Sequence, residues 1–93
     1  MSRLVTIYTK PAGCNQCDST RRLLTKSGIA FQEIVVNPSD VQSIDELKLI
    51  ANSKGITGTM PYVLVIDLET KEQHDWFGFQ PDEIKNLKEE QTA

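Results

Sequence analysis

The feature that most constrains this fold is an abrupt change of hydrophobic period near the start of the chain. Arg3-Leu4-Val5-Thr6-Ile7-Tyr8-Thr9 is rich in β-branched and aromatic residues and reads as a buried strand. Lys10-Pro11-Ala12-Gly13 breaks it, because proline lacks the N–H a central ladder needs and glycine weakens a strand. From Cys14 the period changes. Cys17, Thr20, Leu23, Leu24 and Ser27 recur at spacings of three and four, which is one face of a helix. Gly28 offers a left-handed position just past its end, so the helix is predicted to stop near Ser27.

The remaining segments repeat this alternation. Residues 31–36 read as a second strand, ended by Asn37-Pro38-Ser39. Ser39 or Asp40 is a good N-cap. Val41, Ile44, Leu47, Ile50 and Ala51 then form the apolar stripe of a second helix, closing over residues 52–55. Tyr62-Val63-Leu64-Val65-Ile66 is the most apolar strand and is expected near the centre of the sheet. Residues 67–71 are turn-like, and residues 73–77 complete a hairpin. Pro81 suits the first turn of a last helix. Asp82 and Glu83 favour its start, and Ile84 and Leu87 supply its apolar side. The polar tail from Glu89 is expected to fray. The order is β-α-β-α-β-β-α. A right-handed crossover makes the first two strands parallel, and the hairpin makes the last two antiparallel. The expected class is α/β: a four-stranded mixed sheet flanked by three helices, in one domain over residues 1–93.

Composition narrows the function. The chain has 93 residues, 39% of them hydrophobic, enough for one modest core without metal or structural disulfides. Ten basic and thirteen acidic residues leave a formal charge of −3, which argues against nucleic acid, whose phosphates require a basic stripe. Arg21, Arg22 and Lys26 read as the solvated outer face of the first helix. The longest apolar run, residues 63–66, is far short of the ~20 residues of a membrane span. The first residues lack the apolar h-region and cleavage site of a signal peptide. A cytoplasmic monomer without membrane association is expected.

Both cysteines lie in one C-x-x-C unit, Cys14 and Cys17. In a reducing compartment such a pair is a redox or metal signal. Thiol–disulfide exchange needs a thiolate. At a helix start the unpaired N–H groups carry partial positive charge and favour that anion. Cys14 is expected at the first helical positions with its sulfur exposed, as the nucleophile. Cys17, one turn deeper, is expected to be the resolving thiol, since the spacing lets the sulfurs meet with little backbone movement. The Lys10 ammonium, just before the loop, is a candidate partner for the thiolate. Gly13, Asn15 and Gln16 mark an exposed turn. The competing reading is a metal half-site. Tetrahedral zinc needs four ligands, and the chain offers two cysteines and His74, so a site would need a carboxylate or a second chain. No resident metal is expected.

Other residues have more than one reading. Met60-Pro61 opens the third strand, an ordinary place for proline. Trp76-Phe77-Gly78-Phe79 reads as core packing at a strand end. Alternatively, with Gly78 at positive φ, the backbone N–H groups of residues 78–82 form part of a partner-docking groove. His74 reads as an exposed surface residue. Asp67, Glu69, Glu72 and Asp75 read as a solvated hairpin turn.

Together, Cys14-Asn15-Gln16-Cys17, Thr59-Met60-Pro61 and Trp76-Phe77-Gly78-Phe79-Gln80-Pro81-Asp82 resemble an NrdH-redoxin, a glutaredoxin-like protein of the thioredoxin superfamily. The likeness runs from Leu4 to about Leu87. The family's C-terminal signature is W-S-G-F-R-P-D, and this chain has Phe77 in place of serine and Gln80 in place of arginine. The resemblance implies a thioredoxin fold and a cis Met60–Pro61 bond whose Met60 backbone faces the cysteines and pairs with a substrate chain. It implies substrate- or partner-binding roles for Lys10, Asn15, Gln16, Thr59, Met60, Pro61, Trp76, Gly78 and Phe79. It implies reduction by thioredoxin reductase, with electrons ultimately from NADPH and no bound cofactor. It also implies delivery to class Ib ribonucleotide reductase, in support of deoxyribonucleotide synthesis. A potential toward the reducing end of the range from about −270 to −120 mV is expected.

A glutathione-dependent glutaredoxin is the alternative. Many carry C-P-Y-C and a double glycine before aspartate, where glutathione's charged groups bind. Here Asn15-Gln16 replaces Pro-Tyr and only Gly78 remains, although Lys10 and Thr59 match glutaredoxin-like positions. Alternatives of other classes are a dimeric metal or iron–sulfur module bridged through the same cysteines, and a redox-silent interaction domain.

Overall fold

A computed structural model describes the backbone of residues 3–92 and the side chains of residues 3–88. The elements are β1 Arg3–Thr9, α1 Asn15–Lys26, β2 Gln32–Val35, α2 Val41–Ser53, β3 Tyr62–Asp67, β4 Gln73–Phe77 and α3 Pro81–Thr92, in the order the sequence patterns predict. They form one four-stranded sheet ordered β2-β1-β3-β4. β1 runs parallel to β2 and antiparallel to β3, and β3 runs antiparallel to β4. The strand expected at the centre, β3, shares that place with β1. The tail expected to fray falls largely outside the described residues: α3 is helical backbone to Thr92, and the side chains of residues 89–92 and all of Ala93 lie beyond them.

Strand alternation sends side chains to two unequal layers. On one face Val5, Ile7, Val63, Val65 and Trp76 pack against Leu24 of α1, Ile29, and Ile84 and Leu87 of α3. On the other face Tyr62, Phe77 and Ala51 form a smaller cluster with half-buried Tyr8, Leu64, Leu47 and Ile50. The Tyr62 ring centroid lies 4.6 Å from that of Phe77 and 5.7 Å from that of Tyr8.

The helix ends follow their capping residues. At the end of α1, Gly28 adopts φ +71°, its N–H donates to the Thr25 carbonyl, and the Ile29 N–H donates to the Leu24 carbonyl. This is the Schellman pattern that glycine permits. At the start of α2, the Asp40 carboxylate accepts the Ser43 N–H at 3.2 Å. The expected stripe of α2 is engaged only toward its C-terminal end. Val41 is 62% exposed, whereas Ala51 is 2% exposed. The helix is held at that end, where Lys54 pairs with Asp75 of β4 at 2.6 Å.

Two sequence readings change here. Asp75 is not a solvated turn residue: besides Lys54, it accepts the Tyr62 hydroxyl at 2.6 Å. Burial alone would raise its carboxyl, but the hydrogen bonds from Lys54 and Tyr62 outweigh this and hold it below the usual aspartate range. The Tyr62 hydroxyl is pushed well up, first by burial and then by the Asp75 carboxylate. Arg21 is not merely a solvated helix residue either. It donates to Glu33 of β2 at 2.9 Å and pairs with Asp18, tying α1 to the sheet edge. Asp18 lies one turn back on the same helix, whereas Glu33 comes within reach only once the β-α-β crossover has formed.

Candidate redox site

The site is built where β1 ends and α1 begins. The loop over residues 10–13 delivers Cys14 to the N-cap of α1, one position before the first helical residue rather than within the helix as expected. Its backbone is extended, with φ −118° and ψ 94°, as a cap requires. Its sulfur accepts the Cys17 N–H at 3.2 Å, doing what a serine or aspartate oxygen does at an ordinary cap. Cys14 and Cys17 are joined in a disulfide with a Cα–Cα distance of 5.2 Å, inside the range such a bond spans. Cys14 is half-buried, and Cys17 is fully buried beneath it.

Two distant segments close around this pair. The Met60–Pro61 bond is cis, and the Met60 carbonyl oxygen lies 3.9 Å from the Cys14 sulfur. With the disulfide closed that sulfur has no hydrogen, so this is a contact rather than a hydrogen bond. The Pro61 carbonyl accepts the Gly78 N–H at 2.8 Å. The next N–H, of Phe79, donates to Oε1 of Gln16 at 2.9 Å. Gly78 has φ +81°, and a Cβ there would stand 3.0 Å from that same oxygen. Residues 14–17, 60–61 and 78–79 are thus joined into one surface by the main-chain bond between Gly78 and Pro61 and by the Gln16 side chain on the Phe79 N–H.

The other sequence candidates lie at varying distance from this centre. Asn15 and Thr59 are exposed, and the Thr59 N–H closes a tight turn on the Thr57 carbonyl at 2.9 Å. Lys10 is exposed and has no hydrogen bond to the sulfur pair. With Met60, Ile44, Leu47 and Gly58 it lines a mostly apolar groove of about 840 Å³ beside the site. Trp76 is 5% exposed and packs in the larger core, so it supports the 76–79 loop from beneath. Among the described residues its indole Nε1 is a buried polar atom without a hydrogen-bond partner. Phe77 points to the opposite layer and packs on Tyr62, while half-buried Phe79 packs against the Trp76 cluster. His74 is exposed as expected, with Nε2 2.7 Å from the Glu83 carboxylate.

Besides the contacts of Asp75 and Arg21, sequence reasoning missed two further connections. One is the Gln16–Phe79 bond. The other is the buried Thr9 hydroxyl at the end of β1, which donates to Glu33 at 2.6 Å. The hydrogen bond from Arg21 holds the Glu33 carboxyl below its usual value; burial opposes the shift and Thr9 assists it. No local pattern signals either contact. Among the described residues no group of three or more His, Cys, Asp or Glu side chains is assembled for a metal ion, and no helix is long and apolar enough to cross a membrane.

A C-x-x-C disulfide capping the first helix, set against a cis-proline loop on a four-stranded mixed sheet, defines a thioredoxin-fold protein with a redox-active cysteine pair. The glutaredoxin family model matches residues 5–66, from β1 to the end of the apolar part of β3. The chain belongs to the glutaredoxin family, and its chemistry is that of a thiol–disulfide oxidoreductase. The match includes both cysteines and Met60-Pro61 and ends before β4, so the segment over residues 76–82 lies outside it. No curated protein matches the chain.

Proposed function

We propose that this protein is an electron carrier of the NrdH-redoxin type, a cytoplasmic monomer with no bound cofactor. It takes electrons from NADPH through thioredoxin reductase and delivers them to class Ib ribonucleotide reductase. The observation that carries the dithiol mechanism is the position of Cys14: at a helix cap, half-exposed, with the Cys17 N–H on its sulfur.

In the reduced protein the helix N-terminus and that N–H favour the Cys14 thiolate. The thiolate attacks one sulfur of a substrate disulfide. The substrate S–S bond breaks, and the other sulfur leaves as a thiolate and takes a proton. A mixed disulfide then joins Cys14 to the substrate. Cys17, deprotonated, attacks the Cys14 sulfur, the mixed disulfide breaks, and the second substrate thiol is released. Two electrons have passed to the substrate, and the Cys14–Cys17 disulfide remains. The Met60 carbonyl beside the Cys14 sulfur is a main-chain acceptor for the N–H of an incoming substrate strand. Asn15, Thr59 and Lys10 line its approach.

The choice of reductase rests on the segment over residues 76–82, which keeps Trp76, Gly78, Phe79, Pro81 and Asp82 of the NrdH signature and lacks the second glycine of glutathione-using relatives. A donor comparison tests it. NADPH with thioredoxin reductase is expected to drive reduction of a disulfide substrate through this protein, and glutathione with its own reductase is not. The family match is common to both readings, and efficient turnover with the glutathione system alone would establish the glutathione-dependent one instead.

A further inference from the structure

Gln16 lies between the two cysteines and is exposed to solvent, yet its side chain reaches across the site to a residue 63 positions away. Its Oε1 accepts the Phe79 N–H at 2.9 Å, and the missing Cβ of Gly78 leaves room for that oxygen. The preceding donor, the Gly78 N–H, is committed to the Pro61 carbonyl. Two consecutive main-chain donors beside the active turn are therefore satisfied from within the chain.

We infer that Gln16 is a specificity-determining residue that excludes small carboxylate-bearing thiols. Its carboxamide oxygen occupies the Phe79 N–H, the donor such a thiol's carboxylate needs when docked beside Cys14. The inference rests on the reading of Cys14–Cys17 as a carrier that glutathione does not reduce. A carboxylate leaving water requires N–H donors in exchange. The Phe79 N–H is well placed for that role, at the solvent-exposed edge of the site two residues before α3 begins at Pro81. A tethered neutral oxygen already there competes at high effective concentration against any free anion.

In the exchange it controls, small thiols reduce the cysteine pair. The small thiolate attacks the Cys14 sulfur, the Cys14–Cys17 bond breaks, and Cys17 leaves as a thiolate and takes a proton. A second thiolate attacks the small-thiol sulfur of the mixed disulfide, releasing Cys14 and a small-molecule disulfide. Two small thiols lose two electrons, and the cysteine pair gains them. Gln16 acts on docking for the first of these steps.

The probes are glutathione and S-methylglutathione, which has the same carboxylates but cannot exchange. Gln16→Ala removes the oxygen, whereas Gln16→Glu keeps an oxygen on Phe79 and adds negative charge. Gln16→Ala is expected to raise the ratio of glutathione-driven to dithiothreitol-driven disulfide reduction about tenfold, through a lower KM for glutathione. That is the scale of one hydrogen bond to a charged group. Gln16→Glu is expected to lower the ratio. A second readout is independent of turnover: in amide proton–nitrogen spectra, S-methylglutathione shifts the Phe79 signal in Gln16→Ala and leaves it in place in the wild type. Should Gln16→Ala fail to fold, Gln16→Asn, one methylene too short to reach, replaces it in both experiments. An unchanged ratio in the shortened variant, or a Phe79 signal that moves in the wild type, overturns the inference. If glutathione drives the wild type as fast as dithiothreitol does, the reading of a carrier that glutathione does not reduce fails instead, and the amide spectra still decide the role of Gln16.

Discussion

At the scale of single residues, the cysteine pair was the most legible part of the site, because a spacing of three on a helix start is a local property. Its surroundings were not. Gln16 meets Phe79, Arg21 meets Glu33 and Asp75 meets Tyr62 only after strands distant in sequence pair. A polar side chain reads the same in sequence whether it ends in water or in a hydrogen bond. Gly78 lies between these cases. Its need for positive φ was readable, but its proximity to the Gln16 oxygen was not. At φ +81°, with a Cβ 3.0 Å from that oxygen, Gly78→Ala combines left-handed backbone strain with a close contact. It is expected to destabilise the fold by about 1–2 kcal/mol in urea denaturation. A change within about 0.3 kcal/mol would show that the loop relaxes freely.

At the scale of elements, periodicity placed all seven in the right order, because each carries enough alternating or helical positions to declare its type. Boundaries moved by a residue or two: β2 is Gln32–Val35 rather than residues 31–36, and Cys14 caps α1 rather than entering it. The stripe of α2 overstated its burial, since pattern cannot show where along its length a helix meets the sheet. The contact falls at the end pinned by Lys54, Asp75 and Tyr62, which gives that attachment a pH dependence. The Asp75 carboxyl is held below its unfolded value. Its contribution is therefore complete above the ordinary aspartate range near about 4 and is lost as pH falls through and below that range. Glu33 shifts in the same direction, so Asp75→Asn is expected to flatten part of the acid-induced fall in melting temperature and not all of it. A mutant profile parallel to that of the wild type from about pH 5 to about pH 2.5 would show that Asp75 does not couple α2 to the sheet.

At the scale of the whole molecule, a handed β-α-β unit followed by a hairpin leaves few topologies, which is why the mixed sheet was legible. Its two layers are unequal. The larger core, with α1 and α3, supports the loop carrying Cys14 and the turn carrying Gly78. The smaller layer under α2 borders the apolar groove. This division holds a buried sulfur and a half-exposed one a single helical turn apart, and the account depends on their unequal access. Substrate trapping measures it directly. Reduced Cys17→Ser, mixed with a protein disulfide and run on a non-reducing gel, is expected to accumulate a mixed disulfide through Cys14, and Cys14→Ser is expected to form none. Equal trapping by the two variants, or trapping by Cys14→Ser alone, would contradict the assignment of Cys14 as the attacking sulfur.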